Sequence, residues 1–526
     1  MTDTGLPLDL TPDQRRESIL SSLRKAVMGR SESRRDVARV ADEVGPLVDE
    51  ASRQPDLSPI FRRMAADQGI TEEEARSRWV HLQEADILLE SGGDPEAVSS
   101  AGAVGVSQWM PGAGTHGTLK IDAKKSAALT AQIAPLEWKV AWLKYWRNPD
   151  PPLHGAPPAG VPVTTAADAA QKLPALQAEL HTLRAARKQI DRRYDPPAAI
   201  QAQTRYLLGL YNRFPSPDWL FQAYHGGEAG VDRLLRRYLG PEWPGSSSAA
   251  ITSGNGGRTL TFEDVYLGCT PTQHRDAFLY LYGRGDDHRH YWWKLLMAER
   301  AIALSRRDSK KFDREWLALA PGQGTDGLWY PAAARDAVKD LRSLKAATVA
   351  GRLQTVTAND LLTVRPAPLD KANSATYGVL RPETLGLLRL VAASYSEAGG
   401  TSRLTAGDCT LTPQYLTLVK SHFPASGNRH PMPPDKDFTP PSTSPLPPRF
   451  NFHRTGFVVD VLRPNERTDR KLLEYTLGYF KDRGILTWRE ESTGTEPRHY
   501  HLVPNPKFQD TLAAIRPEQW PELPGF

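Results

Sequence analysis

The stretch "LLESGGDPEAVSSAGAVGVSQWMPGAG" runs from Leu88 to Gly114, and it changes character at its third residue. Up to Glu90 it continues a helix-like run; from Ser91 onward it is rich in Gly and Ser. Just upstream, in "ITEEEARSRWVHLQEADILLE", Thr71 is followed three residues later by Glu74, the pattern of a capping box. Val80, Ala85, Ile87 and Leu88 recur at spacings that build one buried stripe. Gly92 and Gly93 predict the helix stop, because glycine releases the backbone there. Glu90 therefore falls in the last helical turn. An anion facing that end of the helix dipole is disfavoured by a few tenths to about 1 kcal/mol. For such an acid by itself, a solvated helix end is the ordinary reading.

The rest of the chain bounds the possibilities. With 526 residues it is too long for one ordinary core, which predicts two or three domains. Hydrophobic residues make up 40% and charged residues 24%, values that suit a soluble globular protein. The net charge of +5, from 66 basic and 61 acidic residues, comes without a long Lys/Arg run. It argues little for nucleic acid and suits an anionic polymer such as a cell wall equally well. Two cysteines, Cys269 and Cys409, exclude a disulfide scaffold and leave open one disulfide or two free thiols. No stretch approaches the roughly 20 apolar residues of a membrane span, and the first residues lack the apolar core of a secretory signal.

Periodicity divides the chain into three parts. Residues 1–75 read as polar helices, and residues 76–302 as further helices with an insertion at 125–190. In this second part, "DPPAAIQAQTRYLLGLYNRF" is a helix with prolines at its start. "DWLFQAYHGGEAGVDRLLRRY" reads as helix, Gly-rich turn, helix, and "GPEWPGSSSAAITSGNGG" as a loop or linker. From 303 to 526 short β-branched runs appear ("TGFVVDVL", "ILTWREE", "RHYHLV") among helices, an α+β pattern. A Pro-rich segment, 424–450, reads as an exposed loop.

Several blocks in order now change the reading of Glu90. Glu90-Ser91, Asp94-Pro95, Ala97-Val98-Ser99, Gly102-Ala103-Val104-Gly105 and Gln108-Trp109-Met110-Pro111 resemble the signature of SLT-type lytic transglycosylases. "DPPAAIQAQTRYLLGLYNRF" and "AYHGGEAGV" resemble that family's later blocks. The resemblance implies an all-α, goose-lysozyme-like domain that cuts peptidoglycan between MurNAc and GlcNAc. It implies Glu90 as the single acid/base, protonating the glycosidic oxygen. The muramic 6-hydroxyl would then close a 1,6-anhydro ring, so no second carboxylate is needed. Tyr224 would act beside Glu90, with Gln108, Met110, Ser91, Ser99 and His225 as substrate-binding candidates. Ser91 and Ser99 serve equally as turn or cap residues. His225 stands where the family has Asn, and Val106-Ser107 where it has Leu-Met, which leaves anhydro formation or hydrolysis open.

A second constellation lies near the C-terminus. "NFHRTGFVVDVL" places His453, Gly456 and Asp460 at His-x-x-Gly-x-x-x-Asp spacing, and "TEPRHYHLVPNP" comes after it. Along one strand His453 and Asp460 are too far apart to share a metal, but a turn at Gly456 would bring them together. His499 and His501, two apart, share a face of a strand. Two His and one Asp with an open position form a catalytic zinc set. These segments resemble the zinc D-Ala-D-Ala carboxypeptidase family, related to the hedgehog fold. The resemblance implies a Zn2+ held by His453, Asp460 and a late His. Either Glu496 is the base beside His499, or His501 is the ligand and His499 the transition-state donor. The Arg that usually grips a substrate carboxylate is absent from "DCTLTPQY". Cys409 is not expected as a ligand, and His288 and His290 are expected to be solvated.

Both halves thus point to peptidoglycan, its glycan strands and its stem peptides. The expectation is a bifunctional wall-degrading enzyme of the bacterial cell envelope, reaching it by a route other than a recognisable leader. The alternative is a single-activity transglycosylase whose C-terminal domain only binds wall.

Overall fold

In the computed structural model the chain is described at residues 11–29, 32–110, 112, 119–147, 166–240, 245–253, 258–319, 337–422, 452–491 and 498–515. Strands occur only from residue 354 onward among these residues, so the layout is helical first and α+β afterwards. Chain contacts gather into two compact units that are not consecutive in sequence: 32–220 with 298–313, and 1–31 with 221–297 and 314–526. This partition differs from the boundaries at 75 and 302 that periodicity suggests.

The first unit is all helix. Its central helix, Glu72–Ser91, starts at the expected capping box: Thr71 Oγ1 accepts from Glu74 N at 3.2 Å, and Glu74 Oε2 accepts from Thr71 N at 2.8 Å. It ends on Gly92, whose φ of 64° is left-handed. Trp79, Ala85 and Ile87 are fully buried, and the Trp79 ring meets Phe61 edge-on at 6.3 Å. Helices Ser58–Gln68, Gly45–Ser52 and Pro196–Gly209 pack around it. Helices Ala123–Arg147 and Ala166–Ile190 form an antiparallel hairpin with its own core of Ile133, Leu136, Val140, Leu143, Ala169, Leu173 and Leu180. At its base Asp122 N donates to Ile190 O at 2.8 Å.

The second unit holds a five-stranded sheet. In chain order the strands are β1 (Gln354–Thr355), β2 (Leu362–Val364), β3 (Val379–Leu380), β4 (Leu404–Ala406), β5 (Val459–Leu462), β6 (Leu486–Glu491) and β7 (His499–Pro504). The sheet order is β2-β4-β5-β7-β6, with β2 and β4 parallel and the other pairs antiparallel; β1 and β3 form a separate pair. Central β5 and β7 are almost wholly buried, the polar Asp460, His499 and His501 among them. Helices Pro382–Glu397 and Arg467–Asp482 pack on the sheet and on each other. The supposed linker at 240–258 contains a short helix, Ser247–Ser253, because Ala250 and Ile251 are buried and Leu260 N donates to Ile251 O at 2.6 Å. The Pro-rich segment 424–450 lies outside the described residues.

A buried polar knot explains why helices 262–297 belong with the sheet. Asp482 Oδ2 accepts from the Tyr266 and Tyr282 hydroxyls at 2.9 and 3.0 Å and from Arg289 Nε at 2.9 Å; His290 Nε2 lies 3.0 Å away. Burial by itself would raise the Asp482 carboxyl, but His290 and Arg289 hold it far below the usual carboxylate range. The Arg483 guanidinium stacks 3.6 Å over the Tyr479 ring. His290 is thus buried rather than solvated: on an exposed helix its neighbour in sequence decides little, whereas here the facing helix supplies a carboxylate.

Candidate functional site

Glu90 sits half-buried in the last turn of its helix, as the glycine pattern requires. Beyond it the chain forms a tight loop fastened back onto that turn. Ser91 Oγ donates to Val106 O at 2.7 Å and accepts from Gly93 N at 3.1 Å. Antiparallel bridges pair Val104 with Val98 and with Trp109. Gly105, at φ 77°, passes so close to Arg193 O that a Cβ would lie 2.0 Å from it. The Gly-rich stretch is therefore a folded platform beside the acid rather than a linker.

The other candidates in this region divide between framework and surface. Ser99 Oγ accepts from Ala103 N at 3.0 Å, holding the turn. The Gln108 amide donates inward to Gly105 O at 2.9 Å, from a backbone at φ 49°. Met110 is 43% exposed and open to a ligand. Below the platform runs a buried network that sequence reasoning missed. Trp79 Nε1 donates to Gln83, Gln83 and Ser107 donate to Gln203 Oε1, and Gln203 Nε2 donates to Asp86 at 2.7 Å. The Ser107 hydroxyl closes this network. Its signal was polar residues on the buried stripe of two helices, at 83, 86 and 203.

Glu96 continues the platform toward the helical hairpin. Arg187, 2% exposed, pairs with Glu96, and Arg184 reaches it at 3.4 Å. Asp191 accepts from Ser126 at 2.6 Å and from Arg193, whose NH1 donates to Trp109 O at 3.1 Å. The insertion is thus bolted to the loop that follows Glu90.

Tyr224 and His225 lie in helix Pro217–Gly226, and both are half-buried. They fall in the other compact unit from Glu90. The His225 ring stacks on Tyr291 at 3.8 Å, with Nε2 3.5 Å from Asp287 Oδ2. His225, with Lys294, draws the Asp287 carboxyl far below its ordinary range.

The second constellation converges. A 3-10 turn, Phe452–Thr455, and Gly456 at φ 69° fold the chain between His453 and Asp460. A Cβ on Gly456 would meet Leu353 at 2.6 Å and Thr410 at 2.7 Å. On the sheet, Asp460 of β5 stands opposite His501 of β7. His453, Asp460 and His501 are all buried, with ligand atoms within 4.8 Å of one another, a group that could hold a metal ion. His501 Nδ1 is 2.8 Å from Asp460 Oδ1, His453 Nε2 is 3.4 Å from it, and His499 Nε2 is 3.5 Å from Oδ2. Glu496 lies outside the described residues.

The His453–Asp460 separation is that of two ligands on one metal ion, whereas His501 and Asp460 stand at hydrogen-bond distance. Ligand atoms about 2 Å from a tetrahedral ion stand roughly 3.3 Å apart. His453 Nδ1 lies 2.8 Å from Cys409 O. A carbonyl only accepts, so Nδ1 carries the proton and Nε2 is turned to Asp460. In a neutral ring that turns the Nε2 lone pair toward Asp460, where a metal ion could bind; in a protonated ring the same atom donates to the carboxylate. Burial opposes a charged His453, but the charge and hydrogen bond of Asp460 outweigh it and raise the imidazole. Burial would likewise raise Asp460, yet His499 and His453 hold it well below the carboxylate range. Asp408, half-buried, is pushed up by burial and by the charge of Asp460; nothing in its local sequence marks it as part of this neighbourhood. Cys409 contributes its carbonyl, not its thiol. Cys269 and Cys409 are both buried and free, which removes the disulfide alternative.

No protein-family model matches the chain, and no curated protein or solved structure matches it. Among the described residues no helix is long and apolar enough to cross a membrane.

Proposed function

We propose that this chain degrades peptidoglycan with two centres, a single-acid glycan-cleaving site at Glu90 and a zinc peptidase site at His453, Asp460 and His501. The observation that carries the reading is the buried convergence of those three residues from the turn Phe452–Thr455, β5 and β7. Two imidazoles and a carboxylate buried together cost desolvation energy, which a bound metal ion would offset. That favours an active C-terminal half over a passive one. The glycan half rests on the ordered sequence blocks, with support from a half-buried acid at a helix end beside a braced Gly-rich loop.

In the glycan site Glu90 gives its proton to the glycosidic oxygen and then takes one from the muramic 6-hydroxyl. Positioning of that intramolecular nucleophile replaces the second carboxylate. Met110 offers an exposed apolar contact for a sugar. In the peptidase site a bound zinc would supply an activated water and polarise the scissile carbonyl. His453 is held in its ligating tautomer by the Cys409 carbonyl. His501 serves as third ligand, and His499, on the same face of β7, donates a hydrogen bond to the oxyanion. A bacterial envelope substrate accords with both chemistries.

Purified sacculi digested with wild-type protein and with Glu90→Gln, each with and without chelator, decide both claims. Wild type is expected to release anhydro-muropeptides, Glu90→Gln none, and chelation to remove only the peptide cleavage. Equal glycan products from wild type and Glu90→Gln would sink the first centre. Absence of bound zinc together with chelator-insensitive peptide cleavage would sink the second.

A further inference from the structure

The helix Ala123–Arg147 is apolar on both of its faces. Ile133, Leu136, Val140 and Leu143 face the core of the hairpin. At 3.6 residues per turn, Trp138, Trp142 and Tyr145 project on the opposite side. The same outward side carries Ala127, Ala128, Ala131, Ala134 and Pro135, all exposed. A surface helix ordinarily presents polar residues there. The three rings are half-buried and follow one another along the helix, Trp138 to Trp142 at 6.1 Å and Trp142 to Tyr145 at 6.0 Å, tilted by 48° and 40°. Lys124 shares this side and Lys139 flanks it, while Glu137 is engaged by Arg184 at 2.7 Å.

We infer that this stripe is a docking surface for a glycan strand of peptidoglycan, holding it on successive sugar rings. The inference rests on the proposed wall-degrading function. Pyranose rings present C–H faces that pack flat on Trp and Tyr, and their equatorial hydroxyls stay in water. A row of rings at near-equal spacing matches a polymer of repeating rings better than it matches a globular partner. Charge agrees, since Lys139 beside the rings complements the carboxylates of lactyl groups and stem peptides. A second copy of the same basic helix would set lysine against lysine. The hairpin is fastened at its base to the loop after Glu90, through Glu96 to Arg187 and Arg184 and through Asp191 to Arg193, which donates to Trp109 O. A strand held on the stripe is therefore held by the same compact unit that carries Glu90.

The test is sedimentation with purified sacculi in a Glu90→Gln background with chelator present, where binding is read without cleavage. Trp138→Ala/Trp142→Ala is expected to weaken sacculus binding roughly tenfold or more. Trp138→Phe/Trp142→Phe, which keeps a ring at each position, is expected to retain most of it. With Glu90 restored, the alanine pair should still cleave short soluble glycan fragments, while digestion of whole sacculi slows. Unchanged sacculus binding by the alanine pair, at unaltered helix content, overturns the inference, as does equal loss in the phenylalanine pair. A dimer that becomes a monomer on substitution overturns it in favour of a second copy. Failure of wild type to cleave any glycan would refute the catalytic reading and leave the binding result separately legible.

Discussion

Removing the Asp482 carboxylate gives the most quantitative test of how the second unit is assembled. Asp482→Ala leaves Arg289, whose side chain is 5% exposed, without its buried counter-ion, and takes an acceptor from two buried tyrosine hydroxyls. Breaking a buried pair on one side costs about 3–5 kcal/mol. Arg289 keeps one hydrogen bond to Asp286, a residue that is 76% exposed, so the lower half of that range is expected. Asp482→Asn keeps an acceptor but loses the charge, and should cost less. Urea unfolding monitored by tryptophan fluorescence measures both, and the double variant Asp482→Ala/Arg289→Leu should be less destabilised than the sum of its parts. The pH arm has a fixed sign. The folded-state Asp482 pKa is depressed, so its stabilisation is present above the unfolded value near 4 and is lost as pH falls below it. Wild type should therefore lose its margin over Asp482→Ala on acidification from about pH 4 downward. A loss under 1 kcal/mol, or an additive double variant, would refute the view that this knot holds helices 262–297 to the sheet.

Four further outcomes are expected from particular residues. Glu90→Gln should lower glycan cleavage of sacculi by about a hundredfold or more, measured as released muropeptides, with no change in thermal midpoint. His453→Ala, Asp460→Ala and His501→Ala should each abolish stoichiometric zinc by mass spectrometry, whereas His499→Ala should retain metal and lose peptide cleavage. Ser107→Ala removes one of the donors to Gln203 in a sealed network and should cost about 1–3 kcal/mol without altering metal content. Cys269 and Cys409 are buried and their thiols are pushed up by desolvation. A chromogenic disulfide reagent should thus find neither in the native protein and both after denaturation.

Much of the local structure is written in the sequence. Thr71 and Glu74 announce a helix start, Gly92 its end, and the runs 455–462, 485–491 and 498–503 their strands, because caps, glycines and β-branched runs act over a few residues. Gly456 even marks the turn that lets His453 meet Asp460. Other decisions belong to the tertiary structure alone. The choice of His501 as Asp460's closest partner depends on the register of β5 against β7, which no local signal sets. His290 reads as solvated in the sequence because the carboxylate that buries it comes from 192 positions further on, at Asp482. The inward roles of Ser107 and Gln108 depend on Gln203 and on a loop fold only the packed helices impose. Short-range chemistry decides which element a residue joins. Which polar groups are satisfied, and so which remain to act, is settled only when distant elements exclude water from between them.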